Sequence, residues 1–226
     1  MELREAVQTR RSIRRFRPEP VPADLVWEML AQAAWAPSWG NTQSWKCYLV
    51  TGNALEAVRQ GNREALEAGR LPAPDMTMPQ TWPELLKKRY TDTGKRVLQA
   101  LGIPREDKTA RLGHSLDMFQ LFGAPCLLVF TVDQALVVPY AMLDVGSLVQ
   151  TFCLLAHDRG LGTCIMAVSV GFPEVLRRCL PVAKHEAFAI GVAVGYPDAE
   201  APVNRFPRAR APLSEWVVPV AQLRGG

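Results

Sequence analysis

Arginine is the residue type whose placement most clearly predicts a chemistry for this chain. Residues 10–17 contain five arginines and no acid, and residues 205–210 contain three more. A guanidinium group can donate two parallel hydrogen bonds to one phosphate, and each charge-assisted contact contributes about 1.5 to 3 kcal/mol. Two such clusters at opposite ends of the chain therefore favour binding of a small dianion.

The overall charge alone would favour a different partner. The net charge of +4 is a weak indication of nucleic-acid binding. Without the eight clustered arginines, however, 18 cations remain against 22 anions, so the excess positive charge lies in the two clusters. The alternative is that the clusters are solvated surface charge. Ser12 within the first cluster, and Pro207 and Pro212 holding the second extended, favour a binding role.

The familiar catalytic motifs are absent. Residues 160–165 (GLGTCI) lack the third glycine of a dinucleotide fingerprint, and neither a Walker lysine motif nor G-x-S-x-G occurs. The five cysteines form no C-x-x-C and the three histidines are widely spaced, so no metal site or disulfide framework is predicted. Cys164 falls in a predicted buried strand, which disfavours a nucleophilic role. An anion site without acid, base, nucleophile or metal is typical of proteins whose organic cofactor supplies the chemistry.

Hydrophobic periodicity and proline positions predict the elements that hold these residues. Helices are predicted over 2–9, from Pro22 to about 34, and over 54–68, 84–101, 105–122, 139–157 and 173–180, with strands over 45–50, 126–132, 162–170 and 187–196. Residues 71–83 contain four prolines and are predicted to form a lid or a wall of the site. The helix over 139–157 is apolar on nearly every side, which indicates that a second subunit covers it.

Length and composition set the class of protein. A chain of 226 residues with 48% apolar residues can bury a sizeable core, as one large domain or two small ones. No uninterrupted apolar run approaches the roughly 18 residues of a membrane span, and no secretory signal is evident at the N-terminus. The expected location is the cytoplasm, without a membrane partner.

Five short motifs together resemble the FMN-dependent nitroreductase family. They are residues 10–16 (RRSIRRF), 36–45 (APSWGNTQSW), 160–164 (GLGTC), 195–197 (GYP) and 208–213 (RARAPL). The resemblance implies one α+β domain over 1–226, with a central, mostly antiparallel sheet flanked by helices and a variable, lid-like segment at about 70–115. It also implies an intertwined homodimer with FMN at the subunit interface and the 139–157 helix at its centre.

The resemblance also implies roles for individual residues. Arg10, Arg11 and Ser12 would hold the phosphate and ribityl end of FMN together with Arg208 and Arg210, and Arg14 would lie near the pyrimidine edge of the ring. Backbone amides of Ala167 and Val168 would reach flavin N5 and O4. The partner subunit would cover the flavin with a loop that contains Pro37, Ser38, Trp39, Asn41 and Gln43. The sequence departs from the usual Gln-Pro-Trp of this loop, because Ser44 replaces the proline.

The implied activity is a two-step exchange at one site. NADH or NADPH delivers hydride to FMN and leaves, and a nitroaromatic or quinone acceptor then enters the same space. Trp39, Trp82 and Tyr90 are candidates to stack on the acceptor ring. The alternative for Trp82 and Tyr90 is a place in the core or at a dimer contact. Two alternatives stay open: the same fold performing reductive dehalogenation, ene reduction or flavin cleavage, and a non-catalytic protein in which residues 10–17 bind phosphate or nucleic acid.

Overall fold

One antiparallel sheet with the order β1-β2-β4-β3 holds the four strands in the described part of the chain. The computed structural model describes residues 1–220. The strands are β1 (Trp45–Thr51), β2 (Cys126–Asp133), β3 (Gly162–Met166) and β4 (Glu186–Gly195). The helices are α1 (Leu3–Thr9), α2 (Ala23–Ala33), α3 (Gly52–Glu67), α4 (Glu84–Ala100), α5 (Lys108–Phe119), α6 (Val138–Asp158) and α7 (Pro173–Cys179).

Helices cover both faces of this sheet, and β2 shows why. Leu128 and Phe130 point into a core shared with α2 and α6, whereas Leu127 and Val129 point into a second core shared with α3 and α7. Because successive side chains of a strand face opposite sides, a strand buried on both faces needs an unbroken apolar run. The three-layer arrangement confirms the α+β prediction, and all pairings in the described sheet are antiparallel.

Helix α6 buries one side in the core and leaves another side exposed. Val145, Leu148 and Phe152 are buried, whereas Tyr140 and Leu143 are 49% and 66% exposed. By length and composition alone, α6 could also cross a membrane. The same test is met by core helices of soluble proteins, and the packing of α6 against α2 and the sheet favours that interpretation.

The N-terminal arginine segment, residues 10–17, lies along the free edge of β3. Ser12 pairs with Thr163 in a parallel bridge, and Phe16 pairs with Pro197 in an antiparallel one. Gly162 makes this approach possible, because a Cβ at that position would lie 2.5 Å from Ile13 Cγ1. Gly162 of the 160–164 motif and Gly195 of the 195–197 motif therefore admit the arginine segment, since a Cβ at Gly195 would lie 2.9 Å from Phe16 Cδ1, as well as 2.6 Å from Pro125 Cδ.

Two predicted elements had wrong boundaries, for identifiable reasons. The strand predicted over 162–170 ends at Met166, and a 3-10 turn, Ala167–Val170, follows, in which Ser169 Oγ donates to Met166 O. The helix predicted over 105–122 begins at Lys108, because the Asp107 side chain accepts from Ala110 N and caps it. It ends at Phe119, where Leu121 and Phe122 adopt positive φ angles.

The proline-rich segment, residues 71–83, is attached to the rest of the protein through hydrogen bonds of Ala73 and Asp75. Ala73 N donates to Gly171 O at 2.9 Å, and Asp75 Oδ2 accepts from Phe188 N at 2.9 Å and from Arg177 Nη2 at 2.8 Å. These contacts attach residues 73–75 to β4 and α7. Helices α4 and α5 follow this segment and form one side of the candidate site.

Candidate functional site

Five of the eight clustered arginines meet at one cavity of about 430 Å³, which we call the arginine cavity, although the two clusters lie almost 200 residues apart in sequence. The predicted residues that line it are Arg10, Arg11, Ser12, Arg14, Arg208 and Arg210. Helix α4 provides the opposite wall with Lys88 and Arg96, among others. A cleft of this volume with convergent charged groups is typical of a cofactor or ligand site.

Backbone hydrogen bonds hold the first cluster in place. Ile13 N donates to Thr163 O at 2.9 Å, which aligns the segment with the edge of β3. The buried Asn204 side chain accepts from Arg14 N at 2.7 Å and donates to Arg15 O at 2.8 Å. Asn204 thus pairs with one backbone group on each side of the peptide bond between Arg14 and Arg15. Asn204 was not among the predicted site residues, because a single asparagine outside any motif gives no signal in the sequence.

The second cluster is attached directly to the first. The Arg208 guanidinium donates to Arg10 O and to Gln8 O, and Arg11 donates to Phe206 O. Arg208 therefore has a structural role in addition to lining the cavity, because it joins the C-terminal segment to the end of α1. Arg210 is exposed, and its guanidinium contacts only its neighbour Ala209 O among the described residues.

The electrostatics of the cavity favour an anion. Burial lowers the pKa of Arg11 and of Arg208, and neighbouring arginines lower each further. The only carboxylates among its described lining residues are Asp92 and Glu215, and Glu215 already accepts from Arg89. Arg10 Nη2 donates to Gln150 Oε1 at 3.1 Å, but its buried Nε has no partner in the described part of the chain. A phosphate would supply that acceptor and relieve the repulsion between the guanidinium groups.

A second, larger cavity of about 1400 Å³ adjoins the first, and we call it the α4–α5 groove. Arg14 and Thr93 line both cavities, so the two lie side by side. The groove lies between α4 and α5 and includes the half-buried His114, whose ring stacks on Phe122. Burial lowers the pKa of His114 below 6.5, and Arg14 acts in the same direction against Asp117.

Comparison with known proteins identifies the family. The sequence profile of the Nitroreductase family matches residues 7–196, which is most of the chain. The chain belongs to the nitroreductase family.

The nitroreductase relatives match over nearly their whole length. The chain is 32% identical to a nitrobenzene nitroreductase of Ectopseudomonas oleovorans, covering 94% of both chains. It is 31% identical to a 4-nitrobenzoate reductase of Nocardioides sp., covering 93% of this chain and 87% of the relative. Among solved structures, the FMN and NADPH-dependent nitroreductase NfnB from Sphigopyxis sp. strain HMH superposes with a TM-score of 0.94 at 29% identity, covering 98% of this chain and all of that one.

The loop that nitroreductase resemblance assigns to the flavin does not line the arginine cavity of its own chain. It is anchored to α6 instead, because buried Asp144 accepts from Trp39 N at 3.0 Å and from Ser44 Oγ at 2.9 Å. Ser38 Oγ accepts from Gln43 N. The loop contains two non-glycine residues with positive φ, Asn41 and Gln43, and both are exposed, as are Pro37 and Trp39. Such strained backbone is typical of functional loops.

The other predicted contacts lie at different places. Ala167 and Val168 occupy the 3-10 turn after β3, half-buried, at the end of the strand that the arginine segment follows. Trp82 and Tyr90 stack on each other with ring centroids 6.1 Å apart, and Tyr90 lines the α4–α5 groove. Trp39, in contrast, packs edge-on against Tyr140, with ring centroids 4.2 Å apart.

The described residues contain no cluster of three or more candidate metal ligands. All five cysteines are free, and burial raises the pKa of Cys164 to about 11, so this thiol is protonated near neutral pH. The one strongly perturbed carboxylate, Glu186, lies outside both cavities. It accepts from Lys46 Nζ at 2.7 Å, Tyr48 Oη at 2.8 Å and Thr131 Oγ1 at 2.6 Å.

Proposed function

We propose that this protein is an FMN-dependent oxidoreductase that takes hydride from NADH or NADPH and reduces nitroaromatic or quinone acceptors. The observation that carries the proposal is the arginine cavity, in which a buried Arg10 Nε without a described partner lies beside four further predicted phosphate ligands. Relatives named for nitrobenzene and 4-nitrobenzoate reduction, and a solved relative named as FMN and NADPH-dependent, support it.

The residues of the cavity fit the phosphate end of FMN. Arg10, Arg11 and Ser12 would hold the phosphate and ribityl groups, with Arg208 and Arg210 from the other end of the chain. When bound, the flavin supplies the capacity to accept and release hydride. Arg14, at the junction of the two cavities, would provide the positive charge that stabilises a negatively charged reduced ring. Backbone amides of Ala167 and Val168 would donate to the ring from the end of β3.

The two reactants would use the same space in turn. The donor would deliver hydride and leave before the acceptor enters, and no protein side chain is required as an essential proton donor. Trp39, Trp82 and Tyr90 would provide stacking surfaces for the aromatic acceptor. The α4–α5 groove, formed by the variable segment at about 70–115 of this single domain, would provide the space for it.

We further propose that the protein acts as a homodimer in the cytoplasm. Exposed apolar side chains on and before α6, including Val137, Tyr140 and Leu143, form a surface that a second copy would cover. The Pro37–Gln43 loop, which Asp144 anchors to α6, places the exposed Trp39 against Tyr140 of this surface. In a dimer, the Pro37–Gln43 loop of one copy would then cover the flavin of the other.

The test is the visible absorption spectrum of the purified protein, followed by anaerobic addition of NADH and of NADPH. We expect flavin absorption that bleaches with at least one donor and returns when a nitroarene or quinone is added. Protein that binds FMN but oxidises neither nicotinamide with any such acceptor would contradict the proposed reaction. Protein that neither contains nor takes up FMN would contradict the assignment of the arginine cavity.

A further inference from the structure

The α4–α5 groove carries a charge that the proposed reaction with neutral nitroarenes does not require. Its described lining residues include no aspartate or glutamate. Five permanently charged residues line it: Arg14, Lys95, Arg105, Lys108 and Arg111. A cleft lined by one sign of charge raises the local concentration of oppositely charged ligands. The groove therefore favours an anionic molecule over a neutral one of the same shape.

Four of the five cations, all but the half-buried Arg14, lie exposed at the rim of the groove, and several apolar side chains lie deeper. Lys108 and Arg111 are exposed, whereas Val97 is buried and Leu98 and Met118 are half-buried. Residues 108, 111, 115 and 118 all line the groove because they follow one face of α5. A flat aromatic ring fits the apolar floor, and an anionic substituent on that ring would reach the cationic rim.

Lys108 and Arg111 are the rim cations that α5 itself holds at the groove, whereas Arg105 lies in the loop before α5. Neither forms an ion pair with a carboxylate within residues 1–220. Arg111 uses one nitrogen, Nη1, to donate to Arg105 O at 3.2 Å, which holds the side chain at the mouth of the groove and leaves its other nitrogens available. Lys95, in contrast, lies 3.6 Å from Asp92 Oδ1.

We propose that the α4–α5 groove selects aromatic acceptors that carry a carboxylate, with Lys108 and Arg111 as the specificity-determining residues. This inference rests on the proposed function, since the groove adjoins the predicted flavin site through Arg14. An aromatic acid satisfies both features of the groove at once, with the ring on the floor and the carboxylate at the rim. A neutral nitroarene satisfies only the first.

The test compares Lys108→Gln/Arg111→Gln with a control that loses the same charges elsewhere. The control is Arg63→Gln/Lys184→Gln, because both side chains are exposed and line neither cavity. Binding of benzoate and of benzamide to the FMN-loaded protein is measured by calorimetry, which requires no turnover. In parallel, kcat/KM is measured for 4-nitrobenzoate and 4-nitrobenzamide, which differ in charge but little in shape.

We expect the double variant to weaken benzoate binding and to lower kcat/KM for 4-nitrobenzoate about 4- to 25-fold. This range corresponds to two exposed charge contacts of about 2- to 5-fold each, acting independently. Values for benzamide, for 4-nitrobenzamide and for the control protein should not change, and added salt should reduce the preference of the wild-type protein.

Two results would overturn the inference. One is equal binding of benzoate and benzamide by the wild-type protein. The other is a variant whose KM rises for NADPH while benzoate binding is unchanged, which would assign the groove to the nucleotide phosphates. If wild-type protein discriminates benzoate from benzamide but reduces neither nitroarene, the selectivity of the groove stands and the proposed reaction fails.

Discussion

Ile13 occupies the space that a side chain at Gly162 would need. An added Cβ at Gly162 would lie 2.5 Å from Ile13 Cγ1 and 3.1 Å from Ile13 Cβ, both within a buried core. The packing of these two residues sets the distance between the arginine segment and β3. It thereby links a glycine of the 160–164 motif to the position of the predicted phosphate ligands.

Replacing Gly162 with alanine should therefore displace the arginine segment. We expect Gly162→Ala to lower the free energy of unfolding by about 1 to 3 kcal/mol, the usual cost of overpacking a core. It should also weaken FMN binding, because Arg10, Arg11 and Ser12 move with Ile13. Chemical denaturation and titration of the apoprotein with FMN measure the two effects.

Gly113→Ala is the matched control for this change. Gly113 lies within α5, and nothing lies within 4 Å of the Cβ that would be added. Alanine there should stabilise the protein by about 0.5 to 1 kcal/mol through helix propensity, without changing FMN binding. Equal behaviour of the two variants would show that the close approach of Ile13 has no energetic consequence.

Asn204→Ala should destabilise the same segment from its other side. The substitution removes the acceptor for Arg14 N and the donor to Arg15 O and Asp198 O. A fully buried polar group without a partner costs about 1 to 3 kcal/mol, and these part-buried groups should each cost toward the lower end of that range. We expect a lower melting temperature and weaker FMN binding, whereas Asn53→Ala, at an exposed position of α3, should change neither. An Asn204→Ala protein with wild-type FMN affinity would show that Arg14 is positioned independently.

Arg208→Ala should weaken FMN binding by about 1.5 to 3 kcal/mol, or roughly 10- to 150-fold. The structure adds a reason beyond lost charge, because the same side chain bonds Gln8 O and Arg10 O. Arg208→Lys keeps the charge but loses the fork, so it should restore only part of the affinity. Arg205→Ala, which removes an exposed arginine paired with Glu200, is the control. An unchanged dissociation constant for Arg208→Ala would contradict its role in the site.

Stability at acid pH should depend on Glu186. Burial alone would raise the pKa of this carboxyl, but hydrogen bonds from Lys46, Thr131 and Tyr48 outweigh burial and hold the pKa at about 2, below the ordinary 4.5. Ionised Glu186 therefore stabilises the fold fully above about pH 4.5, and this contribution is lost as the pH falls toward 2.

Melting curves across this pH range test the prediction. The melting temperature of the wild-type protein should fall more steeply between pH 4.5 and 2 than that of Glu186→Gln, whose side chain does not titrate. Glu67→Gln, at an exposed position of α3, should follow the wild type. Parallel curves for wild type and Glu186→Gln would show that the carboxylate contributes no stability through its ionisation.

Much of the architecture and part of the site were predictable from sequence. The unbroken apolar run of β2 indicated burial on both faces, and Leu127 and Leu128 do face different cores. The two arginine clusters indicated one anion site. Five of their eight arginines line the same cavity, namely Arg10, Arg11, Arg14, Arg208 and Arg210, and the binding of an anion there stays a prediction. The burial of β2 was predictable, and the clustering of charge was visible, because periodicity and local charge are properties of neighbouring residues, which the sequence displays directly.

Only the tertiary structure decided which distant groups meet. Arg14 depends on Asn204, 190 residues away, and the same arginine joins the predicted phosphate cavity to the α4–α5 groove. Likewise, the strand after Gly162 ends at Met166 because Ser169 turns back onto Met166 O, not because apolar character ends there. Sequence spacing carries no record of such pairings, since they arise when the sheet and its helices pack and bring separate segments within hydrogen-bonding distance.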